Sequence, residues 1–171
     1  YYSGGNCIGG LIVSPKEGFM KNMNDFKRIS GRHIALPYCD ILLNNLTKMD
    51  KRLPVSFEKT LKLAEFLEAH PKVNKVHYPL LRGSSSFDKA SKYFGVCGPS
   101  VLSFEVKMMK EPAVQWMKSF RTVEYETSFG SYKTKFDTWP RFIKPDRTRC
   151  RIAVGYDSNI DRIIDEFKTK L

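Results

Sequence analysis

The C-terminal end of the chain carries the pattern that most restricts its fold: a short apolar strand, a glycine and an amphipathic helix. Residues 152–154 are apolar and partly β-branched, which predicts a brief buried strand. Gly155 then turns the chain, and Ser158 with Asp161 three positions later resembles a capping box that opens a helix. Apolar side chains follow at helical spacing, at positions 160, 163, 164, 167 and 171. The stretch therefore predicts a buried strand that leads directly into a helix with one apolar face.

Arg151 stands where this predicted strand begins, which is an unusual place for a charge. A guanidinium is rarely buried unless it is paired, and its planar fork suits a carboxylate. One interpretation is a clamp for a ligand carboxylate at the edge of a cleft. The other is an arginine that reaches solvent, or one paired with a structural Asp or Glu. The stretch by itself favours the second interpretation.

Elsewhere the chain alternates between helical and strand patterns. Helical spacing predicts helices at 16–29, from Pro37 through Leu46, at 57–68, at 88–93 and at 112–120. Pro54 is expected to interrupt or kink the helix that starts at Pro37 and continues beyond Leu46. Extended segments are predicted at 11–13, 73–78, 101–106 and 121–125, and a loop at 139–145. Strands interspersed with helices and short turns predict an α/β sandwich with a small, largely antiparallel sheet.

Composition excludes several classes of protein. The 171 residues contain no apolar run long enough to span a membrane, which takes about 18 residues. The four cysteines are scattered and form no CxxC pair, which argues against a zinc site or a disulfide scaffold and favours reduced thiols in the cytosol. The net charge of +11 is dispersed and accompanies no nucleic-acid-binding motif, so a basic nucleic-acid-binding module remains only a remote alternative.

No complete catalytic constellation is visible in the sequence. The three histidines are scattered, and HExxH, GxSxG and Walker-type motifs are absent. The best site that the residues support combines Arg151 with the turn at Ser128, which a single loop separates from it in sequence. An arginine fork and a hydroxyl together could hold the carboxylate of an amino acid beside a reactive centre. These residues do not specify a reaction.

Five segments of the chain occur in an order found in one enzyme family. They are residues 1–13 (YYSGGNCIGGLIV), 63–79 (LAEFLEAHPKV, then VHYP), 102–106 (LSFEV), 128–130 (SFG) and 151–157 (RIAVGYD). The chain resembles the C-terminal half of the Cys/Met-metabolism enzymes that depend on pyridoxal phosphate, the group of cystathionine γ-lyase, β-lyase and γ-synthase. Each motif is modestly specific, and the five in this order are specific together.

The resemblance implies the C-terminal part of a PLP-dependent transferase fold of fold type I, with a small, mostly antiparallel sheet packed with helices. Residues 1–56 would complete the large cofactor-binding domain and provide a linking helix, and 57–171 would form the C-terminal α/β domain. The cofactor would be pyridoxal 5'-phosphate. Its lysine is expected just before Tyr1, so no catalytic residue is expected in this chain, which also lacks a starting Met and is expected to be a fragment or a processed product.

The same resemblance implies roles for three residues. Arg151 would grip the substrate α-carboxylate, Ser128 would lie beside the cofactor–lysine linkage, and Thr127 would help to choose between substrates. The implied reaction is elimination at the sulfur-bearing carbon of cystathionine, giving cysteine, with β-lyase or γ-synthase chemistry as alternatives. A cytoplasmic homotetramer, built as a dimer of dimers, is implied, with a small amino-acid substrate and neither nucleic acid nor membrane as partner.

Several positions depart from the family pattern. Its Gly-His-Ser/Asn-Asp segment appears with Gly5 and Cys7 in place of the His and the Asp, and its Arg-Gly-Leu segment appears with Asn44 in place of the Arg. An acidic residue that follows the Ser128 turn is replaced around Lys133. These departures predict a divergent member, with a catalytically inactive paralogue as the alternative.

Overall fold

The computed structural model describes residues 3–144 and 147–171, which form six helices and five strands. The helices are α1 (Glu17–Ser30), α2 (Leu36–Leu46), α3 (Met49–Glu68), α4 (Phe87–Phe94), α5 (Lys110–Lys118) and α6 (Ile160–Lys170). The strands are β1 (Val73–His77), β2 (Val101–Val106), β3 (Glu124–Tyr125), β4 (Lys135–Lys144) and β5 (Arg147–Ala153). Helices and strands alternate along most of the chain, as the sequence predicted.

The five strands form one sheet in the order β1-β2-β5-β4-β3. All neighbouring strands are antiparallel except β3 and β4, which run parallel. The prediction of a small, largely antiparallel sheet is therefore confirmed. The strand that carries Arg151 occupies the centre of the sheet, where Arg151 lies opposite Ser103 of β2 and Asp137 of β4.

One face of the sheet is apolar and packs against α3, α5 and α6. Phe104, Phe136 and Ile152 project from three adjacent strands and are fully buried. Aromatic rings from the helices complete this core, with the Phe167 ring centroid 4.7 Å from that of Phe120 and the Trp116 centroid 5.4 Å from that of Phe136. Burying each large apolar side chain contributes about 1.5–3 kcal/mol, so this layer provides the main stabilisation of the fold.

None of the described residues from 3 to 56 belongs to this core. Neither α1 nor α2 buries a residue, and Val13, Ile29 and Leu36 are each more than four-fifths exposed. The buried residues of the core all lie between Leu63 and Leu171. The division of the chain at residues 56 and 57 stays a prediction.

Two predictions for the N-terminal half are wrong. Residues 11–13 form no strand, because none of the described strands lies beside them to complete a ladder of backbone hydrogen bonds. Pro54 does not interrupt its helix: α3 is continuous, and the chain breaks earlier, between α2 and α3. The missing N–H of Pro54 removes one helical hydrogen bond. Burial of Leu63, Ala64 and Leu67 along the rest of α3 offsets that loss.

β4 was not predicted from the sequence, and part of it takes the place of a predicted loop. Residues 139–144, expected in a loop, belong to β4, and Pro145, the last residue of that prediction, lies outside the described residues. The pairing of β4 with β5 changes register between Thr138 and Ile143, and such irregularities accommodate a proline that cannot donate to the ladder. Consequently Arg151 lies within β5 and not at its start.

The predicted capping box at the last helix is also wrong. α6 begins at Ile160, and the Asn159 side chain accepts a hydrogen bond from the Arg162 backbone N–H at 3.1 Å. Ser158 instead accepts one from the Thr134 N–H at 2.9 Å, and so ties the turn after β5 to the start of β4. Asparagine and serine cap helices about equally well, so the local sequence did not decide between them.

None of the helices in the described ranges is long and apolar enough to cross a membrane. The four cysteines form no disulfide bond with one another. Cys150 points into the core, and burial raises the pKa of its thiol.

Candidate functional site

A cavity of about 450 Å³ lies where the N-terminal segment meets the start of β4. Small-molecule sites commonly have volumes of about 300–1,000 Å³. Three parts of the chain line the cavity: Ser3 with residues 5–9, residues 128–131, and Lys135. The structure thus brings together the glycine-rich opening and the Ser128 turn, which lie more than a hundred residues apart in sequence.

The backbone of the glycine-rich segment is left-handed at two consecutive positions. Gly4 has φ +63° and Gly5 has φ +88°, values that side-chain-bearing residues rarely adopt. A Cβ atom on Gly4 would lie 2.5 Å from the Asn45 side-chain oxygen, and one on Gly5 would lie 3.3 Å from the Ser131 hydroxyl. The backbone conformation at Gly5 therefore favours glycine over the histidine of the family pattern. A side chain at this position would strain the turn and crowd the cavity wall.

Distant residues hold this segment in place. The Tyr156 hydroxyl donates a hydrogen bond to the Gly4 carbonyl at 3.2 Å. Arg52 stacks above the Tyr156 ring, with its guanidinium carbon 5.5 Å from the ring centroid. The same arginine donates to the Asn45 carbonyl at 2.9 Å, and Asn45 in turn borders Gly4. Sequence reasoning missed this cluster, because only the fold brings the N-terminus and the turn after β5 together.

Arg151 lies on the sheet face opposite the apolar core and forms a two-bond ion pair with Asp137. Its Nε and Nη2 atoms donate to the two carboxylate oxygens at 2.9 and 2.6 Å. The Arg151 side chain is 24% exposed, whereas that of Asp137 is only 4% exposed. The sequence analysis considered that Arg151 pairs with a structural Asp or Glu, and the structure shows this pair, with Asp137 as the partner. The period-two spacing of Lys135 and Asp137 is a signal that could have indicated this strand, but no strand was predicted at these residues.

Arg151 also reaches the Ser128 turn, as the sequence suggested. Its Nη2 atom lies 3.5 Å from the Ser128 backbone carbonyl. The contact involves the main chain and not the serine hydroxyl. Ser128 itself lines the cavity, so the guanidinium approaches the cavity wall from the side of the sheet.

The remaining residues singled out from the sequence lie at different depths. Thr127 is exposed and directly precedes Ser128, outside the cavity lining. Cys7 is half-buried and lines the cavity, whereas Asn44 is exposed on α2. Lys133 is exposed and donates to Glu124, whose carboxylate raises the pKa of the lysine. The structure thus places Cys7 at the site and Thr127 at its border.

A second ion cluster, which the sequence did not reveal, lies along the same sheet face. Glu105 is buried and accepts hydrogen bonds from Arg149 at 2.8 Å and from Asn74 at 3.4 Å, and its carboxylate lies 3.1 Å from His77 Nε2. Burial by itself would raise the pKa of Glu105, but the bonds from Arg149, His77 and Asn74 outweigh it and lower the pKa to about 2. This cluster keeps the neighbouring strands in register beside the Arg151–Asp137 pair.

The sequence that forms this site also matches the model of a known enzyme family. The family model described as "Cys/Met metabolism PLP-dependent enzyme" matches residues 1–141. The chain belongs to this family. The resemblance that the five sequence motifs indicated is therefore confirmed.

Individual members of the Cys/Met-metabolism family show moderate identity. Cystathionine γ-lyase from Sus scrofa is 28% identical over 139 residues, which cover 74% of this chain and 34% of that protein. O-succinylhomoserine sulfhydrylase from Pseudomonas aeruginosa is 27% identical over 165 residues, which cover 90% of this chain and 40% of that protein. The chain spans less than half the length of these relatives.

Solved structures of family members share the fold. Cystathionine γ-lyase from Lactobacillus plantarum, complexed with L-serine, superposes with a TM-score of 0.85 at 20% identity, over 99% of this chain and 47% of the other. Cystathionine γ-synthase from Xanthomonas oryzae gives the same TM-score at 18% identity. These likenesses show that the chain has the fold of the C-terminal part of PLP-dependent enzymes.

The donors around the cavity fit one edge of the family's cofactor, pyridoxal phosphate. Ser3, Ser128 and Ser131 present hydroxyl groups, and the exposed backbone at Gly5 allows a ligand to approach closely. None of the described lining residues carries a carboxylate that could pair with a pyridine nitrogen. The described residues can therefore supply part of the contacts that the cofactor needs.

Proposed function

We propose that this chain forms the C-terminal portion of a trans-sulfuration enzyme of the cystathionine γ-lyase type, which eliminates at the sulfur-bearing carbon of cystathionine to give cysteine. The observation that carries the proposal is the cavity shared by the glycine segment and the Ser128 turn, with Arg151 reaching that turn from the sheet. A β-lyase or γ-synthase reaction would use the same residues. The proposal includes a cytoplasmic homotetramer.

Arg151 would bind the α-carboxylate of the substrate. A guanidinium has five N–H donors in a rigid fork, more than a single carboxylate can use. Asp137 is almost fully buried and fixes the plane of that fork through two hydrogen bonds. A fixed fork loses little conformational entropy when a second carboxylate binds, so Asp137 prepares Arg151 for its ligand.

Ser128 and the glycine segment would position the reacting end of the amino acid. Pyridoxal phosphate, when bound, supplies an electron sink for loss of the substrate's α-proton. The chain contributes orientation: a carboxylate held at Arg151 restricts rotation about the substrate's Cα, and Ser128 would contact the cofactor in the same cavity. Thr127, next to Ser128 at the border, would influence which side chains enter.

Substitution of Arg151 tests this assignment in the protein as its gene encodes it. We expect Arg151→Ala to weaken amino-acid binding by roughly tenfold or more, since a charge-assisted hydrogen bond contributes about 1.5–3 kcal/mol. Cofactor content, read from its visible absorbance, should remain close to that of the wild type. Arg162→Ala removes an exposed arginine from α6 and serves as the matched control.

Equal amino-acid affinity in the Arg151→Ala and wild-type proteins would exclude the clamp. Loss of the cofactor together with the amino acid would indicate a general disturbance of the site, and Arg151→Lys, which keeps the charge, separates that case from loss of a specific contact. A protein that takes up no pyridoxal phosphate at all would contradict the whole proposal.

A further inference from the structure

Lys135 lines the cavity, whereas Arg151 contacts the Ser128 turn beside it, and the sequence motifs assign Lys135 no role. It lies at the start of β4, and its side chain lines the same cavity as Ser128 and the glycine segment. Only 13% of this side chain is exposed. Lys133, two positions earlier, is by contrast half exposed and lies outside this cavity. The sheltered lysine faces the space where a ligand would lie.

The pairing of the strands sets the distance between this lysine and Arg151. Arg151 lies opposite Asp137, and Lys135 lies opposite Ala153, so the two cations are diagonal neighbours on one sheet face. Diagonal neighbours in an antiparallel pair are about 7–8 Å apart. Their long side chains can therefore contact two negative groups that several bonds separate in one small molecule.

Glu126 already contacts the lysine, and the strength of that pair matters. The two charged groups are 2.7 Å apart, but the Glu126 side chain is 54% exposed. Ion pairs with an exposed partner contribute about 0–1 kcal/mol, whereas a charge-assisted hydrogen bond in a sheltered site contributes about 1.5–3 kcal/mol. A ligand carboxylate in the cavity can thus compete with Glu126 for the ammonium group.

We propose that Lys135 is a specificity residue that binds an anionic group at the far end of the substrate side chain. The preferred substrates are then amino acids with a second carboxylate, while Arg151 holds the first. This inference rests on the proposed function, because it takes the cavity to be the amino-acid site. It adds to that function a residue that would recognise the second carboxylate, which cystathionine carries.

Two ligands that differ in the distal charge test the proposal. O-succinylhomoserine ends in a carboxylate, and O-acetylhomoserine carries a neutral acyl group on the same amino acid. Their dissociation constants are measured by calorimetry on the cofactor-loaded protein as its gene encodes it, in the wild type, Lys135→Met, Lys135→Arg and Lys133→Met. Lys133→Met is the matched control, since it removes a lysine of the same segment that contacts Glu124 outside the cavity.

We expect Lys135→Met to weaken binding of the succinyl compound by roughly tenfold and to change binding of the acetyl compound by less than about twofold. Lys135→Arg should keep most of the preference, and Lys133→Met should leave both affinities unchanged. Equal losses for both ligands in Lys135→Met, or no loss for either, would overturn the role of Lys135 while leaving the amino-acid site in place. Failure of the wild type to bind either ligand would instead contradict the assignment of the cavity as the amino-acid site, and this inference with it.

Discussion

The two faces of the sheet differ in chemistry and in how strongly the sequence specifies them. The face toward α3, α5 and α6 is a continuous apolar layer that includes Phe104, Phe136 and Ile152. On the opposite face, ion pairs join neighbouring strands: Arg149 pairs with Glu105, and Arg151 pairs with Asp137. Alternation of the side chains along each strand places these two layers back to back.

The apolar face accounts for most of the stability of the fold, whereas the charged face borders the cavity where a ligand would be recognised. Apolar contacts are non-directional and tolerate moderate changes of shape, so the core face can be built from many sequences. The charged face depends on particular partners at particular distances, because a buried charge without its partner is costly. The cavity lies at the edge of the charged face, where Lys135 and Arg151 are already held by their acidic neighbours.

The largest effect is expected on the core face. Phe136 is fully buried and contacts the rings of Phe104, Trp116, Phe120 and Phe167. Phe136→Ala should lower the free energy of unfolding by about 3–5 kcal/mol, since it removes apolar burial and leaves a cavity. Denaturant titration followed by circular dichroism measures the change, and Phe94→Ala, at a partly exposed position, is the control. A loss below about 1 kcal/mol would contradict the packing described for this face.

A smaller loss is expected on the charged face. Glu105→Gln should lower the free energy of unfolding at neutral pH by about 2–3 kcal/mol, because Arg149 would lose a buried partner. Glu124→Gln, which alters the exposed pair with Lys133, should change stability by less than about 1 kcal/mol. Similar losses in the two variants would remove the distinction between buried and exposed ion pairs.

The pH dependence of stability provides a second measure of the same cluster. The folded-state pKa of Glu105 is lowered from 4.5 to about 2, so the folded state binds fewer protons than the unfolded state in this range. Its contribution is therefore fully present above about pH 4.5 and is lost as the pH falls toward 2. Glu166, whose pKa is also lowered despite its burial, by bonds from Thr122 and Arg121, acts in the same direction. The difference between the wild type and Glu105→Gln isolates the contribution of Glu105.

A smaller stability effect than that of Glu105→Gln is expected at the rim of the cavity. Tyr156→Phe removes only the hydroxyl that donates to Gly4 and should cost about 0.5–1.5 kcal/mol. Hydrogen exchange at the amides of Gly5 and Asn6 should become faster, because the glycine segment loses its contact with the turn after β5. Tyr93→Phe alters an exposed tyrosine and is the control. Unchanged exchange in Tyr156→Phe would show that the hydroxyl does not hold the segment.

The sequence by itself determined the α/β class, the approximate positions of most helices and strands, and the family. The spacing of apolar residues in 101–106 and 160–171 is a local property, so it can be recognised from the sequence without knowledge of the fold. The tertiary structure alone decided which side chains meet. Arg151 pairs with Asp137 of β4, a strand that the sequence did not predict, and Tyr156 bonds to Gly4 across 152 positions. Strand register sets such contacts, and a shift of a single residue would send Lys135, Asp137 and Arg151 to the opposite face.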